Sequence, residues 1–443
     1  MAKRIIISLL LIILIVAVVA GGATFVFSSQ YDSLQSLEHE VADPAEEPTT
    51  KVVLTDGTTS SLAPAEKPTM LEDYGSIQES QPQIQAPVVQ TNINTSTVQT
   101  MLGSMTLEEK IYQMLFVTPE ALTGYNKVTQ SGSATRSALE SRPVGGIIYF
   151  SDNLISVDQT TEMISNIQSY STELTGRGLF IGIDEEGGTV ARAADSLGTT
   201  AFDDMVTYGS AGDTDAVYEI GATQASELTA LGFNVNFSPV ADVLTNDENT
   251  VVKVRSFGSD AALVSDMVSA VVSGLRDGGM LSCPKHFPGH GSTGGDTHNG
   301  YASSDRTQEE LAQCDLKPFE AAIAAGSPMI MVGHMTMTQI DPDHPACLSP
   351  AIVTGLLREQ LGYNGIIITD ALNMGAITDN YSYSDAAIAA ISAGCDMLLC
   401  VSNIDTVVSA VAAAVADGTI QESQINDSVL RILTEKARYG IIS

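Results

Sequence analysis

Eight short runs of apolar, often β-branched residues alternate with longer stretches of helical periodicity and leave few folds open to the chain. Strands that are covered by helices on both faces read as continuous apolar runs, as they do in parallel sheets. The alternation therefore predicts an α/β protein with a single (β/α)8 TIM-type barrel. An open doubly wound sheet is the alternative, but no Gly-x-Gly-x-x-Gly motif follows the first run. The eight runs are 113–118, 144–150, 179–184, 235–240, 280–285, 329–334, 365–370 and 397–401. The helical stretches include 157–170, 216–231, 261–274, 308–325, 350–360 and 404–416.

Ionisable residues stand at the carboxyl ends of several runs. In a barrel those ends share one rim, so residues that are far apart in sequence face a single cavity. We therefore expect one functional site to be built from the following residues: Asp184, Glu185, Glu186, Asp242, Lys285, His286, His334 and Asp370.

The richest of these stretches is 281–300, where ionisable side chains alternate with turn-forming residues. It contains Lys285, His286, His290, Asp296 and His298, together with a proline and several glycines. So much titratable chemistry on turn-forming backbone is typical of a functional loop that follows a strand.

Two carboxylates and one imidazole are the candidates for catalysis. Asp370 ends an apolar run without a cation nearby in sequence, so it is a candidate nucleophile or metal ligand, or a simple helix cap. Asp296 and His298 are two residues apart, which in extended backbone puts both side chains on one side. Asp296 would then orient His298 for acid–base catalysis at neutral pH, although a surface hydrogen bond is the alternative.

A metal site is a further alternative, because His286, His290, Asp296 and His298 offer imidazole and carboxylate ligands. The Pro-Gly pair between His286 and His290, however, breaks the helix that would present two imidazoles four residues apart. We therefore predict neither a metal nor another cofactor, and a loop-packing role for His290.

The first 95 residues differ from the rest of the chain. Lys3 and Arg4 precede a largely apolar stretch, 5–27, that is long enough to cross a bilayer of roughly 30 Å as a helix. We expect residues 1–27 to be a signal anchor that places the remainder outside the cytoplasm, with a cleaved signal peptide as the alternative. Residues 28–95 are acidic and rich in Pro, Ser and Thr, as a disordered linker would be. The barrel domain is predicted over 96–443.

Charge and cysteine content narrow the partners. A formal charge of −33 provides no basic surface for nucleic acid. The five cysteines are scattered and lack paired Cys-x-x-Cys spacing, so buried free thiols are expected, with one disulfide as the alternative.

Five stretches together resemble family 3 glycoside hydrolases, in the β-N-acetylglucosaminidase branch that includes bacterial cell-wall recycling enzymes. The resemblance covers about 96–443 and rests on 105–110, 183–188, 255–258, 285–298 and 368–374. Two departures are visible. The stretch 251–254 reads Val-Val-Lys-Val before Arg255, where the family more often has an Ile-Gly step, and Thr189 stands where many relatives have arginine.

The resemblance implies retaining hydrolysis of terminal β-linked N-acetylglucosamine from peptidoglycan-derived glycans. Asp370 would be the nucleophile, and His298, oriented by Asp296, would be the acid/base. The residues implied to bind the terminal sugar are Asp184, Arg192, Arg255, Lys285 and His286. The alternatives on the same fold are a β-glucosidase or xylosidase and a phosphorylase; a tethered, non-catalytic glycan-binding protein is a third.

Overall fold

The computed structural model describes residue 89, residues 94–294 and residues 302–442. The predicted anchor, 1–27, lies outside the described residues, as does the predicted linker except for residues 89, 94 and 95. The first described helix begins at Thr95, and the side chain of Asn94 caps it by accepting a hydrogen bond from the Thr97 amide. Across the described residues no helix is both long and apolar enough to cross a bilayer.

Eight parallel strands form the centre of the fold, and each lies within one of the predicted apolar runs. They are β1 Leu115–Val117, β2 Gly146–Ile148, β3 Phe180–Ile183, β4 Val235–Asn236, β5 Leu281–Ser282, β6 Met329–Val332, β7 Ile366–Thr369 and β8 Leu398–Leu399. Six of them form one sheet in the order β8-β1-β2-β3-β4-β5, and β6 pairs with β7.

Single parallel bridges join these two groups. Phe287, just beyond β5, pairs with Val332 of β6, and Ile368 of β7 pairs with Met397 next to β8. The pairings thus run from β1 through β8 and back to β1. The predicted parallel α/β class is confirmed, and this curled sheet has the circuit of pairings that the predicted barrel requires.

Helices lie between successive strands and after the last one. The α-helices of the described residues are Thr95–Ser104, Leu107–Gln113, Pro119–Thr123, Ser133–Ser141, Val157–Thr175, Arg192–Leu197, Met205–Ala211, Thr214–Leu231, Ala261–Asp277, Gln308–Gln313, Lys317–Ala324, Gly375–Thr378, Tyr383–Ala393, Ile404–Ala416 and Glu422–Arg438. Ala351–Gln360 is a π-helix, and Ser151–Asn153 and Ala346–Leu348 are 3₁₀ turns. The short strands of the described residues outside the curled sheet are Glu185–Gly187, Val190–Ala191, Ser303–Ser304 and Thr336–Met337.

Most of the predicted helices are present with similar bounds, and one is wrong in detail. The stretch 308–325 is two helices, Gln308–Gln313 and Lys317–Ala324, because the chain leaves helical geometry at Cys314. Cys314 has φ −133° and ψ −78°, outside the helical region, and Pro318 lies in the first turn of the second helix. All five cysteines are free thiols, and all but Cys314 are buried.

Aromatic rings pack inside the sheet, and glycines on the strands make room for them. The rings of Phe116 and Phe237 meet edge to face with centroids 5.2 Å apart. A Cβ atom on Gly146 of β2 would lie 2.8 Å from the Phe116 ring, and one on Gly182 of β3 would lie 2.6 Å from Phe237. Because close-packed interiors have no spare volume, these strands need glycine opposite the rings.

Candidate active site

A cavity of about 350 Å³ opens at the carboxyl ends of the strands. Eight residues are assigned a catalytic or sugar-binding role from the sequence. Six of them line this cavity: Asp184, Arg192, Arg255, Lys285, His286 and Asp370. The other lining residues are Ile148, Phe150, Glu186, Val190, Val251, His290, Met331, Ala371, Asn373, Met374 and Leu399. The predicted acid/base pair, Asp296 and His298, lies outside the described residues.

A short hairpin after β3 presents the first group of site residues. Its strands are Glu185–Gly187 and Val190–Ala191. The Asn236 amide on β4 clamps the backbone of Glu185, since its Oδ1 accepts from the Glu185 N–H at 3.0 Å and its Nδ2 donates to the Glu185 carbonyl at 2.8 Å. Residues on either side of Glu185, Asp184 and Glu186, therefore both face the cavity.

The Glu185 side chain instead holds the helix that begins at Arg192. Its carboxylate accepts hydrogen bonds from the amides of Ala193 at 2.6 Å and Ala194 at 3.2 Å. Burial raises the pKa of Glu185 to about 7, against the opposing effect of these two amides. Arg192 starts this helix and lines the cavity, and its Nε is buried without a hydrogen-bond partner among the described residues.

Four charged side chains form a neutral network along one wall of the cavity. Lys285 Nζ donates to Asp184 Oδ1 at 2.7 Å and lies 2.6 Å from Glu186 Oε1. Arg255 binds Glu186 through two hydrogen bonds, from Nε and Nη2, each of 2.8 Å. This bidentate pairing fixes the plane of the guanidinium as well as its position.

Within this network the ion pairs outweigh burial and set the direction of the pKa shifts. Burial alone would raise the pKa of Glu186, but Arg255 and Lys285 hold it well below its usual range. Burial would likewise lower the pKa of Lys285, and Asp184 and Glu186 raise it instead. Sequence reasoning placed Glu186 on the rim but gave it no role. The signal was present, because residues 184 and 186 are two apart on extended backbone.

The loop that carries Arg255 is the one with the unusual Val-Val-Lys-Val stretch. Arg255 Nη1 donates to the carbonyl of Val251 at 3.2 Å. Asn249 Oδ1 accepts from the amides of Val251 at 3.0 Å and Val252 at 3.1 Å. The loop thus holds Arg255 through its own backbone, and Val251 adds an apolar contact to the cavity wall.

Asp370 follows β7 and is partly exposed to the cavity. Its amide donates to the Val332 carbonyl at 2.8 Å, and its Oδ1 accepts from the Ala371 amide at 2.7 Å. Desolvation would raise the pKa of Asp370, but the imidazoles of His334 and His286 and the Ala371 amide lower it to about 2. The carboxylate is therefore held ionised, as a nucleophile requires.

Two further residues stand behind the cavity wall. His334 is fully buried, and its Nε2 lies 2.9 Å from the carbonyl of Ala371, the residue after Asp370. Asp242 is also fully buried, and its Oδ2 lies 2.8 Å from His286 Nδ1. Sequence reasoning placed both on the rim without a role, because their partners are 37 and 44 residues away.

His290 is buried and packed into its loop. Its Nδ1 lies 2.9 Å from Thr293 Oγ1, and its carbonyl accepts from Asn249 Nδ2 at 2.8 Å. Burial lowers the pKa of His290, which favours the neutral form of its ring. Within the described part of the chain, no group of three or more His, Cys, Asp or Glu side chains is arranged to hold a metal ion.

The cavity combines the ionised carboxylate of Asp370 with rigid charged hydrogen-bond donors and acceptors. Such a site can orient a hydroxyl-rich molecule and stabilise positive charge that develops next to Asp370. A cavity at the carboxyl ends of a curled parallel sheet is where α/β proteins carry their active sites, so the fold and the cavity place the chain in that class.

A model of the glycosyl hydrolase family 3 N-terminal domain matches residues 106–435, and the chain belongs to this family. Beta-hexosaminidase A of Pseudoalteromonas piscicida is 34% identical over 320 residues, which cover 67% of this chain and 53% of that protein. Beta-hexosaminidase LpqI of Mycobacterium tuberculosis is 32% identical over 301 residues, which cover 66% of this chain and 76% of LpqI.

Among solved structures, a family 3 β-N-acetylglucosaminidase from Paenibacillus is similar with a TM-score of 0.71 and 36% identity. The match covers 76% of this chain and 63% of that one. The chain therefore spans little more than half the length of the Pseudoalteromonas relative and less than two thirds of the Paenibacillus one. The predicted family is confirmed.

Proposed function

We propose that the chain is a retaining exo-β-N-acetylglucosaminidase. The observation that carries the proposal is Asp370, a carboxylate whose pKa is lowered to about 2 and which shares one cavity with the Asp184, Glu186, Lys285 and Arg255 network. The similar proteins named β-hexosaminidase and β-N-acetylglucosaminidase support the choice of sugar.

In the first step, an Asp370 oxygen attacks the anomeric carbon of the terminal sugar and forms a glycosyl ester. The bond between that carbon and the leaving oxygen breaks, and the leaving oxygen takes a proton from His298. The transition state has oxocarbenium character, and the ionised Asp370 stabilises its positive charge.

In the second step, a water molecule attacks the same carbon and His298 accepts its proton. The ester bond breaks, Asp370 regains its charge, and the sugar leaves with its original β configuration. Asp296 keeps the His298 ring oriented through both steps. The sugar hydroxyls bind to Asp184, Arg192, Arg255, Lys285 and His286, which line the described cavity.

The proposals for the source of the sugar and for the location of the protein rest on the sequence. We propose glycans derived from peptidoglycan as the source of the terminal sugar, from the resemblance of the 285–298 stretch to cell-wall recycling enzymes. The apolar stretch 5–27 after Lys3 and Arg4 supports a location outside the cytoplasm, with the domain tethered to the membrane by the acidic segment 28–95.

The test is a proton NMR assay of the full chain with nitrophenyl β-N-acetylglucosaminide, which reports the anomer that forms first. We expect β-N-acetylglucosamine before mutarotation, and no such product from Asp370→Asn. An α product would rule out retention. Faster turnover of the corresponding glucoside or xyloside would reject the sugar assignment, and sugar 1-phosphate formed in phosphate buffer would show a phosphorylase.

A further inference from the structure

Asp242 is a buried carboxylate whose described hydrogen bonds all go to one stretch of five residues. Its Oδ2 lies 2.8 Å from His286 Nδ1. Its Oδ1 accepts from the His290 amide at 2.6 Å and from the His286 amide at 3.3 Å. Both oxygens are used, and the side chain is fully buried.

The charge of Asp242 has one ion-pairing partner among the described residues, the His286 ring. A buried carboxylate is costly unless it is paired and hydrogen-bonded, and these three hydrogen bonds, together with the positive charge of Arg255, compensate for its burial. The hydrogen bond between Asp242 and His286 also fixes the tautomer of the His286 ring. Because a carboxylate accepts, His286 Nδ1 carries a proton, and Nε2 is the nitrogen left for other partners.

His286 in turn lines the cavity and acts on the nucleophile. Its ring faces the same cavity as Asp370 and, with His334, Lys285 and the Ala371 amide, lowers the pKa of that carboxyl. A change in its tautomer or tilt therefore alters both the hydrogen bonds offered to a bound sugar and the field at Asp370. Asp242 itself does not line the cavity.

We infer that Asp242 is a positioning residue for the reaction, which fixes the tautomer and orientation of His286 and the backbone as far as His290. The kinetic part of this inference rests on the proposed function. The structural part, the proton on His286 Nδ1 and its dependence on Asp242, does not.

Asp242→Asn is the diagnostic change, because an amide has the same shape but only one acceptor oxygen. If that oxygen accepts from the His290 amide, the NH₂ group faces His286 Nδ1 and forces the proton to the other ring nitrogen. If the amide flips, the NH₂ group faces two backbone N–H groups. Neither orientation reproduces the contacts of the carboxylate.

The kinetic experiment is a double-mutant cycle on the full chain with nitrophenyl β-N-acetylglucosaminide. We expect Asp242→Asn to lower kcat/KM by about 10- to 100-fold. This is the loss seen at metal sites when a residue that orients a metal-coordinating histidine is removed. In a His286→Ala background the same change should cost at least about threefold less, because the ring is gone and only the backbone contacts of Asp242 remain. Equal losses in both backgrounds would overturn the inference.

Asp396→Asn is the matched control, since Asp396 is also fully buried and accepts from a backbone amide, that of Ile367 at 2.8 Å. It is bound by Arg358 and Arg431 away from the cavity. It should lower the melting temperature, and its loss of kcat/KM should be the same with and without His286. This separates general destabilisation from action through one ring.

The second experiment is ¹⁵N NMR of the imidazoles of the protein labelled at histidine, with His286→Gln to assign the signal. In the wild-type chain we expect a protonated His286 Nδ1, and in Asp242→Asn a displaced proton. The wild-type spectrum needs no Asp242 variant, so it decides the contact even if that variant does not fold. An unprotonated Nδ1 in the wild type refutes the inference. A protonated Nδ1 without hydrolysis of any glycoside refutes the proposed function alone.

Discussion

Glu186→Gln should be one of the most destabilising conservative changes in this chain. The side chain is 2% exposed and holds two cations, Lys285 at 4% and Arg255 at 13% exposure. Gln keeps the shape of the residue but removes the carboxylate that the two buried cations share, although Asp184 still pairs with Lys285. Removing one member of a buried ion pair costs about 3–5 kcal/mol, which is a large share of the roughly 5–15 kcal/mol that stabilises a typical domain.

The effect should depend on pH with a definite sign. The pKa of Glu186 lies well below its usual value, so the folded state binds fewer protons than the unfolded state on the acid side. The stability that Glu186 contributes is fully present above the unfolded carboxyl pKa of about 4.3 and is lost as the pH falls further. The difference between wild type and variant should therefore shrink below about pH 4.

The assay is guanidinium denaturation of both proteins at pH 7 and near pH 3.5. Glu227→Gln is the control, because Glu227 is less buried and its hydrogen bonds within the described residues come from the amide and hydroxyl of Thr200, at 3.0 and 2.8 Å. It should cost no more than about 1 kcal/mol. A cost below about 1 kcal/mol for Glu186→Gln at pH 7, or one that does not change with pH, would refute the account of this network.

Three more outcomes follow from the structure. Asp370→Asn should lower kcat by at least about 10³-fold with little change in melting temperature. Because the pKa of Asp370 is about 2, the acid limb of the wild-type kcat/KM profile should not report the titration of this residue. An acid limb near pH 4 that disappears in Asp370→Asn would contradict this expectation. Glu185 has a pKa raised to about 7, so stability should fall by about 3 kcal/mol as the pH rises from roughly 4.5 to 7, and Glu185→Gln should remove that fall in denaturation experiments. Gly182→Ala would place a Cβ atom 2.6 Å from the Phe237 ring and should lower the free energy of unfolding by about 1–3 kcal/mol. The helical control Gly103→Ala, whose Cβ would have no atom within 4 Å, should be neutral or stabilising. Equal melting temperatures for the two variants would show that the residues around Gly182 move aside without cost.

The class of fold was open to prediction because its signals are local. Each strand of the curled sheet is buried on both sides and so appears as an apolar run, and polar side chains at the ends of such runs mark the edge where the cavity opens. The capping box at Thr106 is set by equally local residues, with the Thr106 amide donating to Glu109 at 2.8 Å and the Glu109 amide donating to Thr106 Oγ1 at 3.2 Å.

Helix continuity was less predictable. The stretch 308–325 is apolar at helical spacing throughout, yet Cys314 leaves helical geometry and the chain continues as a second helix. The periodicity of side chains reports which face is buried, but the direction of each segment is set by the surface on which it packs.

The sequence alone determines the order of strands and helices, the edge of the sheet at which the ionisable residues are concentrated, and the family. Those properties follow from burial and motif spacing within a few residues of one another. The tertiary structure decided which ionisable groups pair: Lys285 with Asp184 across 101 residues, and His286 with Asp242 across 44. It also decided that Glu186 faces the cavity while Glu185 caps a helix. Such choices depend on the closure of the sheet and on desolvation at each position, which no local pattern records.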